Sequence, residues 1–303
     1  MRKPTTPGSP EPVALTLHEV NRWRDRHYRG RPELRLRTRD EALAFVNEVG
    51  FCFVFPGRGE EAPSLWEAVC GEARPVPVAH DDPDLGRVWH WKDELPSSGA
   101  VYYGKLLRKR PTLVSLELLP SFYALSPNYG DVEDYLLEYQ EGRLSEEARR
   151  VYETLLKEGA LPTSHLRAKA GLEGERNALR FDRAVRELQV GLKIVMVGIS
   201  DANRWGYCFV YDVLLRRWPD LAQRAGAIPS REAKRRLTLT HLRNVGAARV
   251  DETARLFGWD PVELDGLSQR WAADGDLLAG LPITDLPGAY LVCPTLANPG
   301  GRD

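Results

Sequence analysis

The apolar and polar positions of residues 146–211 predict three helices followed by two strands. The first helix covers Glu146–Gly159, a short second helix covers His165–Ala170, and a longer third helix covers Glu175–Val190. Two apolar, β-favouring runs follow, and the polar residues 200–203 join them, as a hairpin requires. This order of elements is typical of a winged helix, a fold that binds nucleic acid.

The predicted third helix is amphipathic and carries arginines opposite its apolar side. Its apolar positions recur at three- and four-residue spacing, at Ala178, Phe181, Ala184, Val185 and Leu188. Arg176, Arg180 and Arg183 fall on the other side, where a guanidinium can pair with a phosphate or with the acceptor edge of guanine. A solvated helix face held by ion pairs is the alternative, but the recognition-helix position favours DNA. We therefore predict that these three arginines contact duplex DNA, together with Arg204 at the start of the second strand.

Residues 231–293 predict a second unit of the same kind. Its predicted elements are helices over Arg231–Val245 and Val250–Phe257, a third helix opened by Asp260 and Pro261, and short strands at Leu277–Leu278 and Ala289–Cys293. Aspartate is a strong N-cap, and proline suits the first helical position. The third helix is less basic than that of the first unit, so we expect it to pack on a neighbouring element.

The N-terminal half predicts a degenerate unit. Its predicted elements are helices over 15–28, Asp40–Val49 and Ser64–Cys70, a strand over Phe51–Phe55, an extended segment over Trp89–Pro96 and a helical connector around Tyr102–Tyr139. The sequence thus predicts a mainly α fold with small β wings, built of tandem winged helix-turn-helix domains. The predicted divisions are a disordered tail (1–13), an N-terminal helical region with its connector (14–142), a winged helix (143–220) and a second winged-helix-like domain (221–303).

Composition excludes several classes of protein. A chain of 303 residues with 43% apolar residues can pack several cores, and it has no apolar run long enough to span a membrane, so we expect a cytoplasmic protein. Its four cysteines lack CxxC spacing, which indicates reduced core thiols rather than a zinc site, and we expect no cofactor. The net charge is −1, but residues 143–220 carry fourteen basic and eleven acidic residues, so a local basic surface can still bind phosphate.

The chain resembles the bacterial interstrand-crosslink DNA glycosylases of the AlkZ/YcaQ-like family. The resemblance covers most of residues 14–295 and is carried by 15–20, Val49-Gly50, Trp91–Pro96, Arg180–Gln189, Arg204–Tyr207 and Ala254–Trp259. It implies several winged helices wrapped around damaged duplex DNA. It also implies hydrolysis of the N-glycosidic bond of an alkylated or crosslinked purine, without a metal.

One departure from that family concerns its catalytic triplet. The family has Gln-apolar-Gln or Gln-apolar-Asp just after the glycine that aligns with Gly50, and the polar pair holds the attacking water. Here the aligned triplet is Phe53-Val54-Phe55, whose side chains neither accept a proton nor orient water. We therefore do not assign the family's catalytic residues to this chain.

Asp93 and Glu94 are the carboxylates that can replace the missing triplet. They follow Trp89 and Trp91, whose rings fall on one face of the predicted extended segment, as stacking on an extruded base requires. The alternative is that the tryptophans are core residues and that the two acids form only a helix cap or a surface turn.

Three functions remain open from the sequence. The first is a protein that binds duplex DNA, damaged or intact, without conventional glycosylase activity. The second is an active glycosylase with a rearranged site around Asp93 and Glu94. The third is a protein-interaction scaffold, which the near-neutral charge permits.

Overall fold

The computed structural model describes residues 15–57, 62–78, 81–203 and 206–297. The predicted tail 1–13 and Arg204 lie outside these ranges. The described chain is mainly helical and contains three small sheets of four, three and three strands. It begins with strand β1 (Leu15–Thr16) and helix α1 (Leu17–His27), whose first turn is fixed by a capping box between Thr16 and Glu19.

The first unit follows the order helix, strand, helix, helix, hairpin. Its elements are α2 (Arg39–Val49), β2 (Phe51–Phe53), α3 (Leu65–Cys70), α4 (Pro83–Ser97), β3 (Val101–Gly104) and β4 (Thr112–Ser115). Strand β4 lies between β2 and β3, and both pairs are antiparallel. The predicted α2 is confirmed, with Thr38 and Glu41 forming its capping box.

Two predictions for this region are wrong. Residues 101–115 form the β3–β4 hairpin instead of a helical connector. Both faces of this hairpin are buried, with Tyr102 in one apolar cluster and Tyr103 in another, so the period-two alternation of a half-buried strand is missing. Short helices α5 (Leu119–Tyr123) and α6 (Asp134–Gln140) complete the connector.

The segment Trp89–Pro96 is helical rather than extended. It belongs to α4, which Asp82 caps and Pro83 opens. Residues two apart on a helix point in nearly opposite directions, so Trp91 is buried, whereas Trp89 is 40% exposed. The predicted pair of rings on one face is therefore not formed.

The second unit repeats the order of the first. Its elements are α7 (Glu146–Glu158), β5 (Leu161–Pro162), α8 (Thr163–Lys169), α9 (Glu175–Val190), β6 (Ile194–Ser200) and β7 (Cys208–Val213). Strand β7 lies between β5 and β6. The predicted bounds of α9 are confirmed. So is most of its predicted apolar stripe, since Phe181, Ala184, Val185 and Leu188 are buried.

The third unit repeats the order again, after helices α10 (Leu214–Arg217) and α11 (Leu221–Gly226). Its elements are α12 (Ser230–Val245), β8 (Ala247–Ala248), α13 (Val250–Phe257), α14 (Pro261–Ala273), β9 (Leu278–Thr284) and β10 (Leu286–Val292), followed by α15 (Pro294–Ala297). Strand β10 lies between β8 and β9.

The start of the described chain packs on this third unit. Strand β1 pairs in parallel with β9, and Leu15 and Val20 share a core with Leu242 and Trp271. The predicted division 14–142 places residues 15–27 in the N-terminal region. In space they belong to the C-terminal core, because the two ends of the described chain meet in one sheet.

The first and second units share a core. One buried cluster contains Phe45 and Trp91 from the first unit together with Leu155 and Met196 from the second. The third unit is joined to the first by Asn244, whose side chain donates a 2.8 Å hydrogen bond to the carbonyl of Val49.

Two further predictions concern burial. The four cysteines, Cys52, Cys70, Cys208 and Cys293, are buried free thiols, which confirms the predicted core role. Among the described residues, no helix is both long enough and apolar enough to cross a membrane.

Candidate functional site

The predicted DNA-contacting arginines lie on the exposed side of α9. Arg176, Arg180 and Arg183 are exposed and spaced four and three residues apart, so they share one stripe of the helix. Arg180 forms an ion pair with Glu147 on α7. Neither Arg176 nor Arg183 has an ion pair or side-chain hydrogen bond within the described part of the chain. These two guanidinium groups are therefore available to an external anion.

The two candidate carboxylates face different surroundings. Glu94 lies on the surface, where Oε1 is 3.0 Å from Nε of Arg39 and Oε2 is 3.1 Å from Nε2 of His90. Asp93 faces the hairpin of the second unit and contacts Lys92 and Tyr207. Adjacent residues on a helix are rotated by about 100°, so the structure does not bring these two acids into one site.

Lys92 lies at the centre of the Asp93 cluster. Its side chain is only 3% exposed. Nζ donates hydrogen bonds to Oδ1 of Asp93 at 2.5 Å and to the Tyr207 hydroxyl at 2.9 Å, and it lies 4.3 Å from the centre of the Trp89 ring. The Tyr207 hydroxyl in turn donates to Oδ2 of Asp93 at 2.9 Å.

Burial sets the protonation of this cluster. Desolvation lowers the pKa of Lys92, although the carboxylate of Asp93 opposes that effect. Burial, followed by the charge of Asp93, raises the pKa of Tyr207 well above its usual value. One hydrogen-bonded network thus joins the amine of Lys92, the carboxylate of Asp93 and the hydroxyl of Tyr207. Because Nζ is enclosed, its observed effect is to fasten α4 to the β6–β7 hairpin.

The segment Phe53-Val54-Phe55, which the resemblance aligns with the family's triplet, is packed among hydrophobic side chains. Phe53 and Val54 are completely buried, and the guanidinium of Arg110 lies 3.8 Å from the centre of the Phe53 ring. Phe55 packs against Trp66 and Trp89, with ring centroids 6.3 Å and 6.0 Å away. The side chains of these three residues contain no hydrogen-bond acceptor for a water molecule.

A basic cleft lies between α1 and α12. A cavity of about 860 Å³ is lined by Trp23, Gly50 and Arg243 among others, and an adjoining depression that shares Trp23 is lined by Arg22 and Arg26. The indole of Trp23 donates a 2.8 Å hydrogen bond to the carbonyl of Arg243, which fixes α1 on α12. The side chains of Arg22, Arg26 and Arg243 are exposed and have no ion pair in the described ranges.

A sequence model of the AlkZ-related family matches residues 36–258, which is most of the chain. This chain belongs to the AlkZ-related family. Its structure is similar to that of the DNA glycosylase AlkZ from Streptomyces sahachiroi, with a TM-score of 0.53 and 15% sequence identity. The similarity covers 94% of this chain and 73% of that chain. At this identity the likeness is one of fold. A sequence search of curated proteins gave no match.

Of the two basic surfaces described above, the sequence of this AlkZ-related chain predicts one. The arginines of α9 lie close together in sequence, so a helical pattern reveals them. Those of the cleft come from residues 22 to 26 and from residue 243, and only the packing of α1 on α12 brings them together.

Among the described residues, no three metal-ligating side chains converge. The expectation of no cofactor stays a prediction.

Proposed function

We propose that the chain binds duplex DNA through tandem winged helices and does not use the conventional catalytic triplet of its relatives. One observation carries the proposal. Arg176 and Arg183 are exposed and form no ion pair with any described residue, and both lie on α9, the third helix of a unit that ends in a hairpin. In a winged helix that third helix is the one that enters the major groove.

The repeated order of elements supports the tandem arrangement. Each unit has a helix, a short strand, two helices and a hairpin, and the last strand of each unit lies between the first and second strands of that unit. We propose three winged helices within the predicted divisions 14–142, 143–220 and 221–303, with α1 packed against the last. Family membership and the fold shared with a DNA glycosylase support duplex DNA as the partner.

The test is the salt dependence of binding to a duplex. Substituting Arg176, Arg180 and Arg183 by alanine should weaken binding and reduce the slope of log K against log[salt] by up to about three units. A control triple variant of Arg87, Arg143 and Arg255 changes the net charge equally but removes side chains that are already ion-paired. Equal effects of both triples would refute the role of α9. Absence of any binding at moderate salt would favour the protein-interaction scaffold.

A second candidate function is hydrolysis of the N-glycosidic bond of a damaged base, with Asp93 as the catalytic carboxylate. The observation that favours it is the carboxylate of Asp93 in a network with Lys92 and Tyr207, beside the half-exposed ring of Trp89. Incubation with a duplex that contains one alkylated purine, scored for retention and for alkali-labile breaks, tests it directly. Breaks that disappear in Asp93→Asn while that variant still retains the duplex, and that persist in Glu94→Gln, would establish this function. Retention without breaks would favour the DNA-binding proposal.

A further inference from the structure

A small pocket lies between α9, β3 and β7, separate from both basic surfaces. Its volume is about 250 Å³. Aromatic rings of Tyr103, Phe209 and Tyr211 form one wall, and Gln189 contributes a polar group. Phe209 also covers Lys92, whose Nζ is 5.1 Å from the centre of that ring. The pocket and the Lys92 cluster therefore adjoin through one aromatic side chain.

The carboxamide of Gln189 is buried and poorly satisfied. The residue is only 2% exposed. Its Oε1 is 3.4 Å from the backbone nitrogen of Lys105, and its Nε2 is 3.5 Å from the Tyr211 hydroxyl. Both distances are at the upper limit of a hydrogen bond, whereas a buried amide normally has partners near 2.9 Å. The amide thus retains a donor and an acceptor for a ligand.

The backbone holds that amide in place. The carbonyl of Gln189 accepts a 3.1 Å hydrogen bond from the hydroxyl of Tyr102, which is completely buried. Gln189 is also the second-last residue of α9, so its side chain is fixed against the hairpin rather than presented on a loop.

Phe209 is the accessible ring of the aromatic wall, since Tyr103 and Tyr211 are only 5% and 6% exposed. The ring centroids of Tyr103 and Phe209 are 5.7 Å apart, and those of Phe209 and Tyr211 are 6.1 Å apart. Burial raises the pKa of Tyr103 and of Tyr211 far above 10, so both hydroxyls stay neutral and can donate hydrogen bonds at physiological pH.

The polar rim of the pocket carries charges of both signs. Lys105 and Arg186 supply two cations, and Asp182 supplies a carboxylate. Asp182 is exposed and directly precedes Arg183 on α9. Arg186, at the rim of the pocket, lies three residues after Arg183, so these two arginines are neighbours on the surface of α9. A polyanion bound at Arg183 therefore lies close to the mouth of the pocket.

We propose that this pocket binds a single nucleobase. The planar ring stacks on the half-buried ring of Phe209, its hydrogen-bonding edge faces the carboxamide of Gln189, and Lys105 or Arg186 contacts the attached phosphate. The same chemistry fits a base extruded from DNA and a free nucleotide. The first source rests on the proposed DNA binding, and the second does not.

The experiment uses two probes. One is 2-aminopurine riboside 5′-monophosphate, whose binding is followed by fluorescence. The other is a pair of duplexes of equal sequence, one fully paired and one with a single bulged purine. We expect the nucleotide to bind and the bulged duplex to be preferred. Gln189→Leu should weaken nucleotide binding about tenfold or more and abolish the bulge preference, because a bidentate amide contributes discrimination of that size.

Two further variants separate the pocket from general effects on the fold. Gln140→Leu removes an exposed amide from α6 and should change neither readout. Arg186→Ala alters a half-buried side chain at the rim and should weaken binding of the nucleotide more than that of the corresponding nucleoside.

The possible outcomes distinguish this inference from the proposed function. Binding of both duplexes without a bulge preference, and without nucleotide binding, would overturn the pocket and leave DNA binding intact. Nucleotide binding that depends on Gln189, without duplex binding, would support the pocket with a free nucleotide as its source. Equal effects of Gln189→Leu and Gln140→Leu would overturn the pocket.

Discussion

The Nζ of Lys92 lies 2.9 Å from the hydroxyl of Tyr207, a residue 115 positions further along the chain. Lys92 belongs to the third helix of the first unit, and Tyr207 immediately precedes the last strand of the second. Asp93 contacts both. This network positions the hairpin of the second unit against the first, and the orientation of the neighbouring units thus depends on a buried charge.

Asp93→Asn should therefore destabilise the protein. The substitution leaves Lys92 enclosed without its counter-charge, and we expect the free energy of unfolding to fall by about 2–3 kcal/mol. Glu94→Gln is the matched control, because it removes an adjacent surface carboxylate whose pairs contribute less than about 1 kcal/mol. Urea unfolding measures both.

A double substitution tests the same network. Lys92→Met with Asp93→Asn should be more stable than Asp93→Asn alone, because methionine needs no counter-charge among the aromatic rings. A double variant less stable than the single would show that the charge of Lys92 is not the source of the loss.

His241 should make stability depend on pH. The residue is fully buried beside Phe51 and Phe257, and desolvation lowers its pKa to about 3. Between pH 6.5 and pH 3 the unfolded chain binds a proton that the folded chain does not, so the free energy of unfolding falls as the pH decreases. We expect this group to contribute a loss of about 3 kcal/mol between pH 7 and pH 4.

The measurement is denaturant unfolding at pH 7 and pH 4. His241→Leu should reduce the difference between the two values. His165→Leu, which changes an exposed histidine, should leave the difference as in the unsubstituted protein. An undiminished difference in His241→Leu would assign the acid sensitivity to other groups.

Gly50→Ala should be more harmful than Gly258→Ala. Both glycines have a φ of +75°, where an alanine costs about 1–2 kcal/mol. At Gly50 the added Cβ would lie 2.9 Å from carbons of both Leu118 and Thr240, whereas at Gly258 it meets nothing within 4 Å among the described residues. We expect a total loss of about 3 kcal/mol or more at Gly50. Equal losses in thermal or urea unfolding would mean that the two neighbours move aside at little cost.

The arginines of α9 should contribute unequally to DNA binding. Arg180 is engaged by Glu147, so a phosphate must displace an existing partner. The double variant Arg176→Ala, Arg183→Ala should reduce the salt slope by about two units, and Arg180→Ala by less than one. Fluorescence anisotropy across a salt series measures these slopes. A larger effect of Arg180→Ala than of the double variant would contradict this division.

If one duplex contacts both the basic cleft and the arginines of α9, the cleft should contribute separately to the salt dependence of DNA binding. Substituting Arg22, Arg26 and Arg243 by alanine should then reduce the slope in addition to the α9 variants. Effects that do not add would show that the two surfaces do not contact the same duplex.

Much of the local structure was predictable because its signals are local. The bounds of α9 followed from apolar spacing, α2 from its Thr38 cap, and α14 from Asp260 and Pro261. The wrong predictions arose where tertiary burial removes those signals. The β3–β4 hairpin is buried on both faces, and the two tryptophans of Trp89–Pro96 lie on opposite sides of a helix.

The sequence by itself determined helices α2, α9 and α14, the absence of a Gln-x-Gln or Gln-x-Asp triplet and the arginine stripe of α9, since each depends on residues a few positions apart. Only the tertiary structure decided which distant groups meet. It placed α1 in the C-terminal core, brought Tyr207 to Lys92, and enclosed the amide of Gln189 beside three aromatic rings. These contacts join residues that are far apart in the chain, and no local periodicity encodes them.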